Sequence, residues 1–422
     1  MKNLKVTRII HPIGQGGFYT ETLSYEKQTK NFVYDCGGFN HKQDLMEKYL
    51  DCYLDRKSGK KEIEAVFISH FHADHMNGLQ YLLENSRVKY LFLPQLTEDV
   101  LIESFVYNYC QTGTYNQVNR FLMDLYDKVN SDDNKDNKEG TRIIQIREAD
   151  DSRFPEEGFN IEGRGDHDLS IGAWNPNQRI NLDLLQESRI PSGTILYCGE
   201  WLYIPFNPIV APEKKERLRK ELVLKLENEL GISLDSRILI KRLSELLKDL
   251  GVEKCKEIYN SVFHNQHNSY SMTLFSGTIS LNVDRPYHGL CHRPCKFEDH
   301  CFYPFRTEDY CCNPNFLYTG DFEPDYDIIK TSNINQLREF YRPVWREIAS
   351  IQVPHHGSKH NFDEALYKYP IRGIVSVGNN NPYHHPDIDT LIKIQEQDCH
   401  PVIVTEDKSS MKIYHYKCSS KS

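Results

Sequence analysis

A chain of 422 residues with a net charge of −9 can bury one large core or two small ones, and its acidity argues against a broad basic face that grips duplex DNA non-specifically. Its longest apolar runs, such as Thr194 to Leu202, are broken by Cys, Gly and Glu and fall short of the roughly 18 residues of a membrane span. Charge interrupts the N-terminal stretch before an apolar signal region forms, so a cytoplasmic protein with no membrane contact is expected.

The first ninety residues alternate short apolar runs with turn signals. Val6 to Ile13, Phe32 to Tyr34, Ala65 to Ile68 and Tyr90 to Leu93 are strand-length, and His41 to Asp55 and Gly78 to Glu84 have helical spacing. That pattern describes a sheet with helices packed on it. Asn130 to Gly140 is polar throughout and reads as a solvated or disordered loop. From Pro212 to Tyr259 the pattern is helical. Leu218, Leu222, Leu226 and Leu230 recur at four-residue spacing, Gly231 is a stop signal, and a second helix is expected near Ile238 to Leu250. This inserted subdomain is expected to cap the core or to bind a protein partner, or merely to pack on the sheet. Strands resume near Ser271 to Phe275, Phe316 to Thr319, Ile351 to Val353, Ile371 to Val377, Val402 to Thr405 and Met411 to Tyr416. The resulting division is a first half of the core over 1–130, a polar loop and helical insert over 131–265, and a second half over 266–422.

Twelve cysteines in a long chain without an export signal read as thiols or metal ligands rather than disulfides. Cys36, Cys52, Cys110, Cys198, Cys255, Cys399 and Cys418 are scattered, as small buried hydrophobes are. The others cluster in an insert over 288–313. Cys291, Cys295 and Cys301, with Cys311, Cys312 or His300 as a fourth member, form a candidate structural zinc site, although the paired Cys-x-x-Cys knuckles are missing.

The most informative stretch is Ile68-Ser69-His70-Phe71-His72-Ala73-Asp74-His75, just after a buried strand. Imidazole and carboxylate are preferred ligands of zinc and its neighbours, and alternate positions of an extended loop aim alternate side chains at one point. These residues resemble the metallo-β-lactamase superfamily, and the resemblance implies an α/β protein with the αββα four-layer sandwich, here with helical and Cys-rich insertions. By that match His70 and His72 hold a first metal ion, while Asp74 and His75 hold a second. The family also places a bridging aspartate after a later strand, the form taken by Phe316-Leu317-Tyr318-Thr319-Gly320-Asp321. A carboxylate can span two cations about 3.5 to 4 Å apart. A final histidine is implied in Pro354-His355-His356-Gly357, where His356 is taken as the second-metal ligand and His355 as the substrate-facing acid or phosphate contact, with the reverse order open. The remaining first-metal ligand is His267 or His264, of which His267 lies nearer the expected strand. Zinc is the first choice of metal and manganese the second, since such ligands suit both.

Further matches resemble one branch, the metallo-hydrolase domain of competence proteins that move DNA into bacteria. They are Gly14-Gln15-Gly16, Val33-Tyr34-Asp35-Cys36-Gly37, Asn268-Ser269-Tyr270-Ser271, Pro354-His355-His356-Gly357-Ser358, and Ser376-Val377-Gly378 followed by Tyr383-His384-His385-Pro386. Asp35 is placed to fix the metal loop, and His385 to reach the site from the far side, unless both are structural. The chain departs from that branch at His72, often Asp there, at His384, often Gly, and at Gly17, where the branch is acidic. The branch implies a phosphodiesterase or nuclease acting on DNA or RNA, in which a metal-bridging hydroxide attacks phosphorus, with Asp74, Asp321, His355 and His385 at the reacting centre. Two other expectations stand beside it. One is a hydrolase of a small molecule such as a cyclic nucleotide, thioester or lactam. The other is a metal-stabilised scaffold that binds a partner.

Overall fold

The computed structural model describes residues 4–25, 28–39, 44–55, 59–113, 117–130, 140–149, 179–209, 212–231, 236–263, 271–278, 313–324, 327–328, 331–379, 381 and 384–418. In chain order the first elements are β1 (Leu4–Ile10), β2 (Gln15–Tyr25), β3 (Gln28–Phe39), α1 (Asp44–Leu54), β4 (Glu62–Phe67), α2 (Ala73–Met76), α3 (Leu79–Asn85), β5 (Arg87–Pro94), α4 (Glu98–Thr112) and α5 (Gln117–Asn130). The middle of the chain carries β6 (Arg142–Arg147), β7 (Arg179–Asn181), β8 (Arg189–Pro191), β9 (Ile195–Cys198), β10 (Trp201–Phe206), α6 (Pro212–Leu230), α7 (Ser236–Leu250) and α8 (Val252–Phe263). The last third carries β11 (Thr273–Gly277), β12 (Phe316–Tyr318), β13 (Asp327–Ile328), β14 (Thr331–Ser332), α9 (Asn333–Phe340), β15 (Ser350–Gln352), β16 (Arg372–Ser376), α10 (Ile388–Glu396), β17 (His400–Val404) and β18 (Lys412–Cys418).

Two eight-stranded sheets result, ordered β18-β1-β2-β3-β4-β5-β6-β8 and β17-β16-β15-β12-β11-β10-β9-β7. Parallel pairing joins β3, β4, β5 and β6 in the first sheet and β12, β15, β16 and β17 in the second. Each parallel step needs a crossover, and α3, α9 and α10 supply crossovers between β4 and β5, β12 and β15, and β16 and β17. Because strand residues alternate between faces, each sheet offers an apolar side to its partner and another to helices. Phe32, Phe67 and Phe92 of the first sheet meet Tyr203, Leu274 and Phe316 of the second in one core. Outside the first sheet, Val66, Leu91 and Leu93 pack with helices α1 to α8. Beyond the second, Ile351 and Val375 pack with Leu337 and Phe340 of α9 and Ile394 of α10. These are the four layers expected from the sequence.

The insert turns inward. Leu218, Leu222 and Leu226 of α6, Leu246 and Leu247 of α7, and Ile258 and Tyr259 of α8 are buried in one cluster with Leu101, Phe105 and Val106 of α4. Gly231 ends α6 with φ 64°, the left-handed geometry that suits glycine after a helix. A third helix, α8, follows Gly251, where the sequence pattern foresaw two. The same middle region also contributes β6 to β10, which extend both sheets. Residues 131–139 of the polar run, and the Cys-rich insert from 288 to 312 with Cys291, Cys295, Cys301 and Cys311, lie outside the described residues. Of the scattered cysteines, Cys36, Cys110, Cys198, Cys255 and Cys399 are buried, whereas Cys52 is exposed on α1. Among the described residues no helix is long and apolar enough to cross a membrane.

A buried polar knot joins the two sheets away from their ends. Arg8 of β1 meets Glu21 of β2 at 2.7 Å. Glu21 also accepts hydrogen bonds from Tyr203, Ser276 and Tyr318, which belong to β10, β11 and β12 of the facing sheet. Burial opposes charge on Glu21, but Arg8, Ser276 and Tyr318 bring its pKa below the ordinary value.

Candidate metal centre

The His-rich loop leaves the C-terminal end of β4, the position at which open α/β sheets present their ligand sites. Phe71 and Ala73 turn into the core and are buried, so the alternating His70 and His72 face the other way. Asn108 of α4 holds this shape, its Nδ2 donating to Phe71 O at 3.1 Å and its Oδ1 accepting from Ala73 N at 2.9 Å. The loop closes into the single turn of α2, which carries Asp74 and His75. Strands β2 and β3 press against it so closely that two glycines are obligatory. A Cβ on Gly16 would lie 2.4 Å from Asp74 O, and one on Gly37 would lie 2.4 Å from Met76 N.

Asp321 follows β12 on a turn at Gly320, whose φ is 56°. The side-chain oxygen of Gln352 accepts from both Thr319 N and Gly320 N at 3.1 Å, and Asp321 N donates to Ser271 Oγ at 3.0 Å. The neighbouring parallel strand β15 leads into His355 and His356, both in the left-handed region with φ 46° and 57°. This backbone sends the two rings in different directions, as consecutive residues must.

Two groups of side chains converge. Asp74, His75, Asp321 and His356 form one, and His70, His72 and Asp321 the other, with the ligating atoms of each group within 4.8 Å of one another. Asp321 belongs to both. His355 falls in neither group; its Nδ1–H donates to Asn361 Oδ1 at 3.0 Å, and the Asn361 amide is oriented by its own donation to Phe322 O. His385 is half-buried, with its ring 5.5 Å from that of His355. Burial, aided by the nearby His355 and His356, lowers its pKa to about 4. His384 is exposed, and His264 and His267 lie outside the described residues.

The hydrogen bonding of the rings tests whether a cation fits. His75 Nδ1–H donates to Asp35 Oδ2 at 2.8 Å, and His356 Nδ1–H donates to Ser376 O at 2.8 Å. His70 Nδ1 lies 2.9 Å from Ser69 Oγ, which itself donates to Asp35 Oδ2 at 2.8 Å. The opposite nitrogens of His70 and His75, together with His72 Nδ1 and Asp321 Oδ1, are buried without a well-aligned hydrogen bond, His75 Nε2 and Asp321 Oδ1 lying 3.1 Å apart. Buried polar atoms are nearly always satisfied, and rings anchored on the outer nitrogen with the inner one bare are the form metal ligands take. Electrostatics agrees. Burial disfavours a charged His75, yet Asp321, Asp35 and Asp74 hold its pKa well above the ordinary value, while burial beside His75 and His72 pushes His70 well below it. The anionic groups call for positive charge, and the residues fit divalent cations.

Several of these residues escape sequence reasoning. Asn108 and Glu103 sit on α4, and Glu103 Oε1 lies 3.5 Å from His72 Nε2. The one sequence signal for Glu103 is a lone carboxylate in the run Val100-Leu101-Ile102-Glu103-Ser104-Phe105-Val106.

Comparison with known proteins bears on the first part of this region. Residues 22–91 match the family model described as the metallo-beta-lactamase superfamily, a stretch that includes Asp35 and the whole of the His70 to His75 motif. No curated protein matches the chain. Among solved structures it is similar to one described as the crystal structure of unliganded yeast PDE1, at 11% identity and a TM-score of 0.37, covering 99% of this chain and 100% of that one.

Proposed function

We propose that this chain, with a metallo-β-lactamase superfamily match at its His-rich loop, is a dinuclear metallo-hydrolase that cleaves phosphodiesters of DNA or RNA. The observation that carries the hydrolase reading is the sharing of Asp321 between the two candidate groups. His70, His72 and Asp321 would hold the first ion, and Asp74, His75, Asp321 and His356 the second. Two bound divalent cations supply Lewis-acid charge and a nucleophile at neutral pH.

The chain's own residues do the rest. Asp35 and Ser69 orient the rings of His75 and His70, so the carboxylates and imidazoles are organised before substrate arrives. With Asn361 holding the Nδ1–H of His355, Nε2 is the atom that exchanges a proton with the leaving oxygen. His385, beside His355, contacts the phosphate. Nucleic acid as substrate rests on the ordered motifs that resemble the competence-protein branch. The acidic chain is no obstacle, because two divalent ions add about four positive charges where the phosphate sits.

The test is to load purified protein with zinc or manganese and offer circular and linear DNA, single- and double-stranded, RNA, and bis-p-nitrophenyl phosphate, with Asp321→Ala as control. Cleavage of polymer by the wild type and not by Asp321→Ala is expected. Cleavage of the small diester without any polymer replaces nucleic acid by a small phosphodiester, and inertness of the metal-loaded wild type towards every phosphoester overturns the reading.

A further inference from the structure

Helix α4 buries a carboxylate beside the metal loop. Glu103 is 1% exposed, in a run where Ile102 and Phe105 are equally buried. A buried carboxylate is tolerated only where donors compensate its lost hydration. Its polar neighbours come from three places. Ser104 Oγ donates to Oε2 at 3.1 Å, the hydroxyl of Tyr259 donates to Oε1 at 2.5 Å, and His72 Nε2 lies 3.5 Å from that same Oε1. Tyr259 belongs to α8, the last helix of the insert. One turn along α4 from Glu103, Tyr107 stacks its ring on His72 at 3.6 Å and 14°. His72 is thus gripped by α4 on its face and at Nε2, and Nδ1 is its unsatisfied nitrogen.

A proton kept on Nε2 by a carboxylate leaves the Nδ1 lone pair for a cation and makes that nitrogen a stronger donor. We infer that Glu103 is a positioning residue for His72, and that the helical insert, through Tyr259, is a working part of the first metal site rather than a separate appendage. This rests on the metal-centre reading above. The Tyr259 hydroxyl holds the Glu103 carboxyl group aimed at His72, so docking of α8 on α4 sets the affinity of the His70, His72 and Asp321 group. Linkage then requires the reverse: an ion in the first site tightens the docking of α8 by the same factor.

Zinc binding measured by chelator competition separates these ideas, with His72→Ala and His356→Ala marking which binding step belongs to which site. The wild type is expected to bind two ions. In Glu103→Gln the step lost in His72→Ala weakens by about 10- to 100-fold, as removal of such partners does elsewhere, while the step lost in His356→Ala is unchanged. Tyr259→Phe, which removes one oxygen, weakens the same step by a smaller factor. Amide hydrogen exchange supplies the second readout: zinc slows exchange in α8 of the wild type but not of Tyr259→Phe. Two ions bound by both variants with wild-type affinity, or equal weakening of both steps, overturns the inference and leaves the metal centre standing. A wild type that binds no ion overturns the metal centre itself.

Discussion

Asp35 Oδ2 sits 2.8 Å from Nδ1 of His75, and the same carboxylate receives the backbone N–H and hydroxyl of Ser69 at 2.7 and 2.8 Å. One side chain from β3 therefore fixes both ends of the His-rich loop. Its own backbone is in the left-handed region at φ 53°, a conformation uncommon outside glycine that the surrounding contacts hold in place.

Asp35→Asn tests this grip. The amide keeps the shape but loses the charge facing His75, so the ring is less basic and less firmly aimed. A loss of roughly 10- to 100-fold in affinity is expected for an ion at the proposed site of Asp74, His75, Asp321 and His356, the general cost of removing such a partner. Chelator competition on wild type and variant measures it. Affinity unchanged within a factor of two would show that Ser69 and the glycine packing suffice.

Glu21 should matter for stability and not for chemistry. Removing one partner of a buried ion pair leaves the other uncompensated and costs about 3 to 5 kcal/mol. Glu21→Ala is therefore expected to unfold at markedly lower denaturant, whereas Arg8→Met with Glu21→Leu recovers much of the loss. The pH sign follows from the lowered pKa of Glu21: its contribution is present above the pKa of the unfolded chain and disappears as acid protonates it in the fold. Urea titrations of the three proteins at two pH values decide the matter, and a single variant as stable as wild type would refute it.

His11 predicts a second acid sensitivity. Burial first, then the charge of Lys61, brings its pKa from 6.5 to about 3, with Thr20 2.9 Å from Nε2 and Phe18 stacked at 4.1 Å. The folded state keeps the ring neutral while the unfolded chain takes up a proton near pH 6.5. Stability is thus full above that pH and falls by up to about 1.4 kcal/mol per unit below it, until the folded ring titrates. His11→Gln removes this slope and keeps a partner for Thr20. Stability curves of both proteins in chelator between pH 7 and 4 should converge on acidification; parallel curves would count against a buried neutral His11.

Legibility in the sequence followed how local each feature is. The loop from His70 to His75 was readable because its candidate ligands lie within six residues, and Asp321 because the family resemblance places an aspartate after such a strand. Strands β3, β4 and β5 were readable as apolar runs. The strand β2 was not, because it starts with Gln-Gly-Gly and turns Glu21 inward to partners that only the facing sheet supplies. Helix α4 is buried on almost every side, by the sheet and by α6 to α8, so its apolar residues show no period. Glu103 was hidden for a related reason: Tyr259 lies 156 positions away and no local pattern connects them.

The pairing of β18 with β1, Leu4 opposite Cys418, has a bearing on biosynthesis. During vectorial synthesis β1 has one open flank until Lys412 to Cys418 has been added, and an open flank is a template for unwanted pairing. The candidate metal ligands arrive just as unevenly, with His70 to His75 early and Asp321 and His356 some 250 or more positions later. Until then a young chain carries a histidine-rich loop without the carboxylate common to both candidate groups, so neither group can be assembled before residue 321 has been added.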